Sequence, residues 1–129
     1  MIRPRLSNII EITFSNFKDT VMNADKPVVI KFTTSTCPLC KGFKPIFERA
    51  AEDYEKTFIF GNVNTVLQDN LMKFFKVDGV PEVYIVNPKE DEPTKRAYLV
   101  PYPTKGNDRS GFPEDYFRKQ LDKYIEEKL

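Results

Sequence analysis

The stretch Thr36-Cys37-Pro38-Leu39-Cys40-Lys41 holds both cysteines of a 129-residue chain. An apolar run, Val28-Val29-Ile30-Lys31-Phe32, precedes it, and a pattern with helical spacing follows it. A strand feeding a helix whose first turn carries Cys-x-x-Cys is the sequence form of a dithiol redox centre. The unpaired amides and the dipole of a helix N-terminus favour an anion, which suits a thiolate at the first cysteine. Two intervening residues let the second thiol fold back onto a mixed disulfide formed at the first. Cys37 is therefore the expected nucleophile and Cys40 the resolving thiol. Pro38, at or beside the first helical position, brings a φ suited to a helix and lacks an amide that would go unused there.

Other uses of two cysteines fit less well. Buried structural thiols have no reason to share one short motif at a strand–helix junction. Zinc takes four ligands, and the chain has no histidine and no third cysteine. A Cu(I) site, or one shared between subunits, is the metal alternative left open. A fixed structural disulfide would close a very short loop and restrict little of the unfolded chain.

Working outward, residues 28–33 read as a buried strand, too short and too β-branched for a helix. Beyond the cysteines, Phe43, Ile46, Phe47, Ala50, Ala51 and Tyr54 recur in steps of three and four. That spacing predicts a long amphipathic helix to about Glu55, kinked at Pro45. Upstream, residues 8–12 read as a strand, and Ser15 as the N-cap of a helix over 16–23. Downstream come a strand over 58–63 and a short helix over 70–75 packing through Leu71, Phe74 and Phe75. Asp78-Gly79 is a turn, Val80-Pro81 leads into a strand over 83–86, and residues 89–95 form a polar hairpin connection. A strand over 97–102 follows, its far end demoted to an edge by Pro101. Residues 103–113 read as loop, and the last helix, beginning near Ser110 or Phe112-Pro113, buries Phe117, Leu121, Tyr124 and Ile125. The order βαβαβαββα suits a mixed central sheet with helices on both faces, in one domain over 1–129.

Composition sets outer limits. Hydrophobic residues make up 40%, charged residues 30%, and the net charge is +1 with acids and bases interspersed. That balance gives no case for nucleic acid, and no apolar run approaches the ~20 residues of a membrane helix. The basic start, Met1-Ile2-Arg3-Pro4-Arg5, is not followed by an unbroken apolar segment, so no signal peptide is read. A two-cysteine redox motif without such a signal predicts a reducing, cytoplasmic compartment.

These residues together resemble the thioredoxin family over nearly the whole chain. Ile9-Ile10-Glu11-Ile12-Thr13, a helix, and Lys26-Pro27-Val28-Val29-Ile30-Lys31-Phe32 look like the family's opening. Cys37-Pro38-Leu39-Cys40-Lys41 with Pro45 matches its active-site helix, and Val80-Pro81 before a hydrophobic strand matches its proline loop. The resemblance implies an α/β thioredoxin fold and exchange of electrons with protein disulfides through a redox-active Cys37–Cys40 disulfide, with no tightly bound cofactor. It implies a cis Val80–Pro81 peptide facing the dithiol, whose backbone pairs with an extended substrate by strand addition. It also implies recycling by a thioredoxin-reductase-like enzyme or another dithiol; a monomer is expected.

The sequence departs from the family pattern in four places. Thr36 replaces the usual tryptophan, and Pro38-Leu39 replaces Gly-Pro, which is closer to glutaredoxins and the periplasmic thiol oxidases. Lys31 stands where relatives carry a buried aspartate. Pro38, Leu39 and Lys31 are accordingly expected to tune the thiols, with Lys31 acting by Coulomb attraction. A lysine that snorkels to solvent or pairs with a helix acid is the alternative. The loop over 101–113 is longer than usual, with Tyr102 and Phe112 framing Lys105, Asn107, Asp108 and Arg109. Glu82 is expected to place a negative charge beside the peptide groove. Two rival functions stay open: a binding module whose cysteines cycle poorly, and a glutathione-dependent enzyme.

Overall fold

A computed structural model describes residues 8–103 and 111–129. Five strands, β1 (Ile10–Glu11), β2 (Val28–Thr33), β3 (Ile59–Asn64), β4 (Glu82–Val86) and β5 (Ala97–Leu99), form one sheet in the order β1-β3-β2-β4-β5. β1 and β2 both run parallel to β3, whereas β4 pairs antiparallel with β2 and with β5. Three helices, α1 (Pro38–Asp53), α2 (Asp69–Phe74) and α3 (Glu114–Lys128), cover it, together with a π-helical turn over Lys18–Met22. The mixed sheet and the element order agree with the sequence reading.

The alternation of strand side chains divides the apolar residues into two cores, one on each face. Val29, Val83 and Ile85 meet Phe43 and Phe47 of α1 and Phe117, Leu121 and Tyr124 of α3. Val28, Ile30 and Phe32 meet Val21 of the π-helical turn, Leu71, and Phe75 just after α2. Aromatic rings dominate the first core; the Phe43 centroid lies 5.0 Å from that of Phe117 and 5.2 Å from that of Phe112. Burying each such ring is worth ~1.5–3 kcal/mol. Gly61 of β3 lets the opening segment approach, since a Cβ there would collide with the Ile12 side chain.

Several local expectations are corrected. β1 is only Ile10–Glu11, although the Ile12 amide still donates to the Asn62 carbonyl at 2.8 Å. Ser15 is not a cap. The π-helical turn has Phe17 as its N-cap with no side-chain cap bond, and Thr13 and Asn16 close the turn before it reciprocally: the Thr13 amide donates to Asn16 Oδ1 at 2.8 Å and the Asn16 amide to Thr13 Oγ1 at 3.1 Å. Phe74, expected to pack with Leu71 and Phe75, is 69% exposed. β5 ends at Leu99, and Val100 contributes one more ladder bond, to the Val83 carbonyl at 2.9 Å. A 3₁₀ turn, Pro93–Lys95, sits within the hairpin connection. α1 runs over Pro38–Asp53 with Pro45 inside it, as the spacing predicts. Lys105, Asn107, Asp108 and Arg109 lie outside the described residues.

Candidate functional site

The parallel strand β2 ends at Thr33, and the chain turns through residues 34–36 into α1. Cys37 is the N-cap of that helix, with an extended backbone (φ −88°, ψ 115°) and Pro38 at the first helical position. Its sulfur takes the role usually filled by a serine or aspartate oxygen, accepting the Cys40 amide at 3.1 Å. Cys37 is half-buried, Cys40 is buried, and both are free thiols. Thus one sulfur faces outward at the helix end and the other stands behind it.

The Val80–Pro81 peptide is cis, and it lies against the dithiol. Cys37 Sγ donates to the Val80 carbonyl at 3.8 Å, an S–H···O contact. Val80 is half-buried and Pro81 is buried at the start of β4. Of the flanking residues, Leu39 is 41% exposed and Pro38 is exposed as well, so both form the outer rim beside Cys37. The structure therefore brings Cys37, Cys40, Val80 and Pro81 together.

Burial pushes the Cys40 thiol up to about 11, and its hydrogen bond with Cys37 adds to the rise, while the Thr34 backbone and the Lys31 ammonium pull it down. Lys31 is 5% exposed, on the α1 face of β2, with its ammonium 5.1 Å from the Phe47 ring centroid. Burial lowers its pKa, Glu48 opposes that shift most strongly, and Lys44 reinforces it. An open cavity of about 580 Å³ lies behind Cys40, with Lys31, Lys44, Glu48, Glu11 and Asn62 among its lining residues. Asn62 faces Lys31 across the β2–β3 ladder and donates to both Glu11 carboxylate oxygens at 3.2 Å. Lys31 is thus buried rather than snorkelled, with Glu48 of α1 and Glu11 near its ammonium.

Glu82 departs from its expected place. It is 5% exposed on β4, opposite Phe32 and on the same face as Tyr84 and Val86, so its carboxyl group is enclosed rather than set beside the groove. One site residue was read only as part of the long loop over 101–113, and one escaped the sequence reading. Tyr102 donates its phenol to the Pro81 carbonyl; the only sequence signal is its position between two prolines after an edge strand. Glu48 follows Cys40 and Lys44 at four-residue steps on α1, a helical-face signal that was available. Among the described residues, no three His, Cys, Asp or Glu side chains gather where they could hold a metal ion. None of the described helices is long and apolar enough to cross a membrane.

Comparisons with known proteins bear on the same region. The Thioredoxin family model matches residues 8–98. Protein disulfide-isomerase 2-3 of Arabidopsis thaliana is 30% identical over 84 residues, covering 65% of this chain and 19% of that protein. Putative thioredoxin 2 of Streptomyces coelicolor is 35% identical over 81 residues, 63% of this chain and 59% of that protein. Thioredoxin of Buchnera aphidicola from Acyrthosiphon pisum is 28% identical over 90 residues, 70% of this chain and 83% of that protein. The chain therefore spans less than two thirds of the first two relatives' length. α3 lies beyond the matched residues yet packs Phe117 and Leu121 into the core under α1. With the cysteine pair capping α1, the cis-proline turn against it and a family match over most of its length, the chain belongs to the thioredoxin family.

Proposed function

We propose that the protein is a thiol–disulfide oxidoreductase that exchanges electrons with protein disulfides through Cys37 and Cys40. The observation that carries this is the pairing of an outward Cys37 sulfur with a buried Cys40 thiol one helical turn away. As a thiolate, Cys37 attacks one sulfur of a substrate disulfide; an S–S bond forms to Cys37 and the other substrate sulfur leaves as a thiolate, which takes up a proton. Cys40 then loses its proton and attacks the Cys37 sulfur, releasing the second substrate thiolate. The substrate has gained two electrons and the protein holds a Cys37–Cys40 disulfide.

Val80 and Pro81 orient the extended substrate by main-chain pairing beside Cys37. Pro38 and Leu39 shape the rim, and Lys31 lowers the cost of a Cys40 thiolate by Coulomb attraction across the cavity wall. A thioredoxin-reductase-like enzyme or a second dithiol returns the electrons. Action as a monomer in a cytoplasmic, reducing compartment belongs to the same proposal, checked by light scattering and by cell fractionation.

Thr36 and Lys31, standing where the family carries an aromatic and a carboxylate, support one alternative, a binding module with slow redox cycling. Equilibration against glutathione and dithiothreitol buffers separates the readings. A potential near ~−270 mV marks a general reductant, and one between ~−180 and ~−120 mV an oxidase- or isomerase-like role. Failure to form the bond reversibly, with no reduction of insulin, leaves only the binding module.

A further inference from the structure

The β4–β5 ladder explains how a residue outside the expected site comes to bear on it. Tyr84 pairs with Leu99 and Ile85 with Tyr98, and Val100 donates to the Val83 carbonyl at 2.9 Å. Carried two residues further, that register places the backbone of Tyr102 opposite Pro81. Pro101 falls opposite Glu82 at a non-hydrogen-bonded position, and the regular strand ends before it, at Leu99. The Pro81 carbonyl takes the phenol of Tyr102 in place of a ladder amide. One side chain continues what the backbone leaves off.

The Tyr102 ring is itself held. It stacks on Phe112, with centroids 5.2 Å apart and planes 22° apart. Phe112 is buried against Phe43 of α1, at 5.2 Å, and against Phe117 of α3, at 6.3 Å. Nearby, the Tyr116 phenol donates to the Pro101 carbonyl at 2.7 Å, fixing the start of the segment. A contiguous path thus runs from the α1–α3 core through Phe112 and Tyr102 to Pro81 and Val80. It ends at the Val80 carbonyl, 3.8 Å from Cys37 Sγ.

We propose that Tyr102 is a positioning residue of the dithiol site: its phenol on the Pro81 carbonyl holds the Val80 backbone in place against Cys37 and against the segment of substrate that pairs there. The part concerning substrate rests on the oxidoreductase reading; the part concerning Val80 and Cys37 does not. Tyr102→Phe removes one oxygen and keeps the stack on Phe112.

The test has one arm without turnover and one with it. In amide NMR spectra, Tyr102→Phe should shift the Val80 and Cys37 resonances, and Tyr102→Leu should shift them further. Changes confined to the neighbourhood of Phe112 overturn the proposal. In turnover with dithiothreitol as reductant, Tyr102→Phe should raise KM for insulin about five-fold, the loss expected for one neutral hydrogen bond, with kcat unchanged. Stoichiometric reduction of dithiobis(nitrobenzoate) by the prereduced protein freed of dithiothreitol, a reaction that involves no peptide backbone, should fall less than insulin reduction does. Equal losses on both substrates overturn the proposal. If the wild-type protein reduces neither disulfide, the oxidoreductase reading fails, and the resonance shifts alone decide the role of Tyr102.

Discussion

The Cys40 amide donates to the Cys37 sulfur at 3.1 Å, so the proposed nucleophile is also the N-cap of its own helix. The two roles separate by substitution. Cys37→Ala should abolish disulfide reduction and also cost about 1 kcal/mol of stability through the lost cap. Cys37→Ser should abolish reduction while retaining most of that stability, because the hydroxyl still accepts. Urea unfolding of the two variants checks this, and equal midpoints would show that the sulfur contributes nothing as a cap.

The division of labour between the thiols predicts a trapped intermediate. With Cys40→Ser, attack by Cys37 should proceed and stop at the mixed disulfide, visible by mass spectrometry as a covalent adduct with an insulin chain. With Cys37→Ser, the buried Cys40 should give no adduct. An adduct in the second variant and none in the first would reverse the assignment.

Lys31 sets a conflict between stability and chemistry. Its pKa is lowered chiefly by burial, so its charge costs folding energy at neutral pH. Lys31→Met fills similar volume without charge and should stabilise the protein by ~1 kcal/mol. It should also raise the Cys40 pKa further, since the ammonium is one of the groups pulling it down. The measurements are the melting temperature and the stopped-flow rate of mixed-disulfide resolution at pH 7. A variant that is stabilised with an unchanged rate would remove Lys31 from the tuning residues.

Alkaline pH should weaken the reduced protein in a way traceable to Cys40. Its thiol pKa rises from 9.0 to about 11 on folding, mainly through burial. The folded state therefore keeps a proton that the unfolded chain has lost. The associated stability is fully present below pH 9 and disappears as pH climbs to about 11. The phenols of Tyr54, Tyr84, Tyr116 and Tyr124, also raised by burial, act in the same direction. Comparing urea unfolding of the reduced protein with Cys40→Ala isolates the thiol, and the variant should show the shallower decline.

Two adjacent phenylalanines should respond very differently. Phe75 is 7% exposed, with its ring centroid 5.2 Å from that of Phe32, while Phe74 is 69% exposed. Phe75→Ala should cost about 3 kcal/mol. Phe74→Ala forfeits only ring-edge contacts with Phe17 and Phe75 and should cost under about 1 kcal/mol. Denaturant midpoints of the two variants distinguish them.

Local chemistry was legible without coordinates wherever the residues concerned are neighbours along the chain. The Cys-x-x-Cys spacing, the alternation of β2 and the helical period through Phe43, Phe47 and Ala50 each express a backbone geometry that acts over a few residues. They determined the element order, the dithiol and the helix end that carries it. The failures arose where a choice between equivalent residues depends on what lies opposite. Ser15, Thr13 and Asn16 all can cap, yet Thr13 and Asn16 instead close a reciprocal turn before the π-helical one. Phe74 and Phe75 differ by one step of helical rotation, and only the position of the sheet decides which is covered. Lys31 and Glu82 are charged residues in strands, and sequence cannot state which face each takes or what encloses it. Tyr102 reaches Pro81 across 21 residues because the β4–β5 register brings the two opposite each other. The sequence by itself determined the chemistry of the dithiol and its place in the chain. Tertiary structure alone decided the surroundings of that dithiol, because burial, charge and hydrogen bonding at the site are contributed by strands and helices distant in sequence.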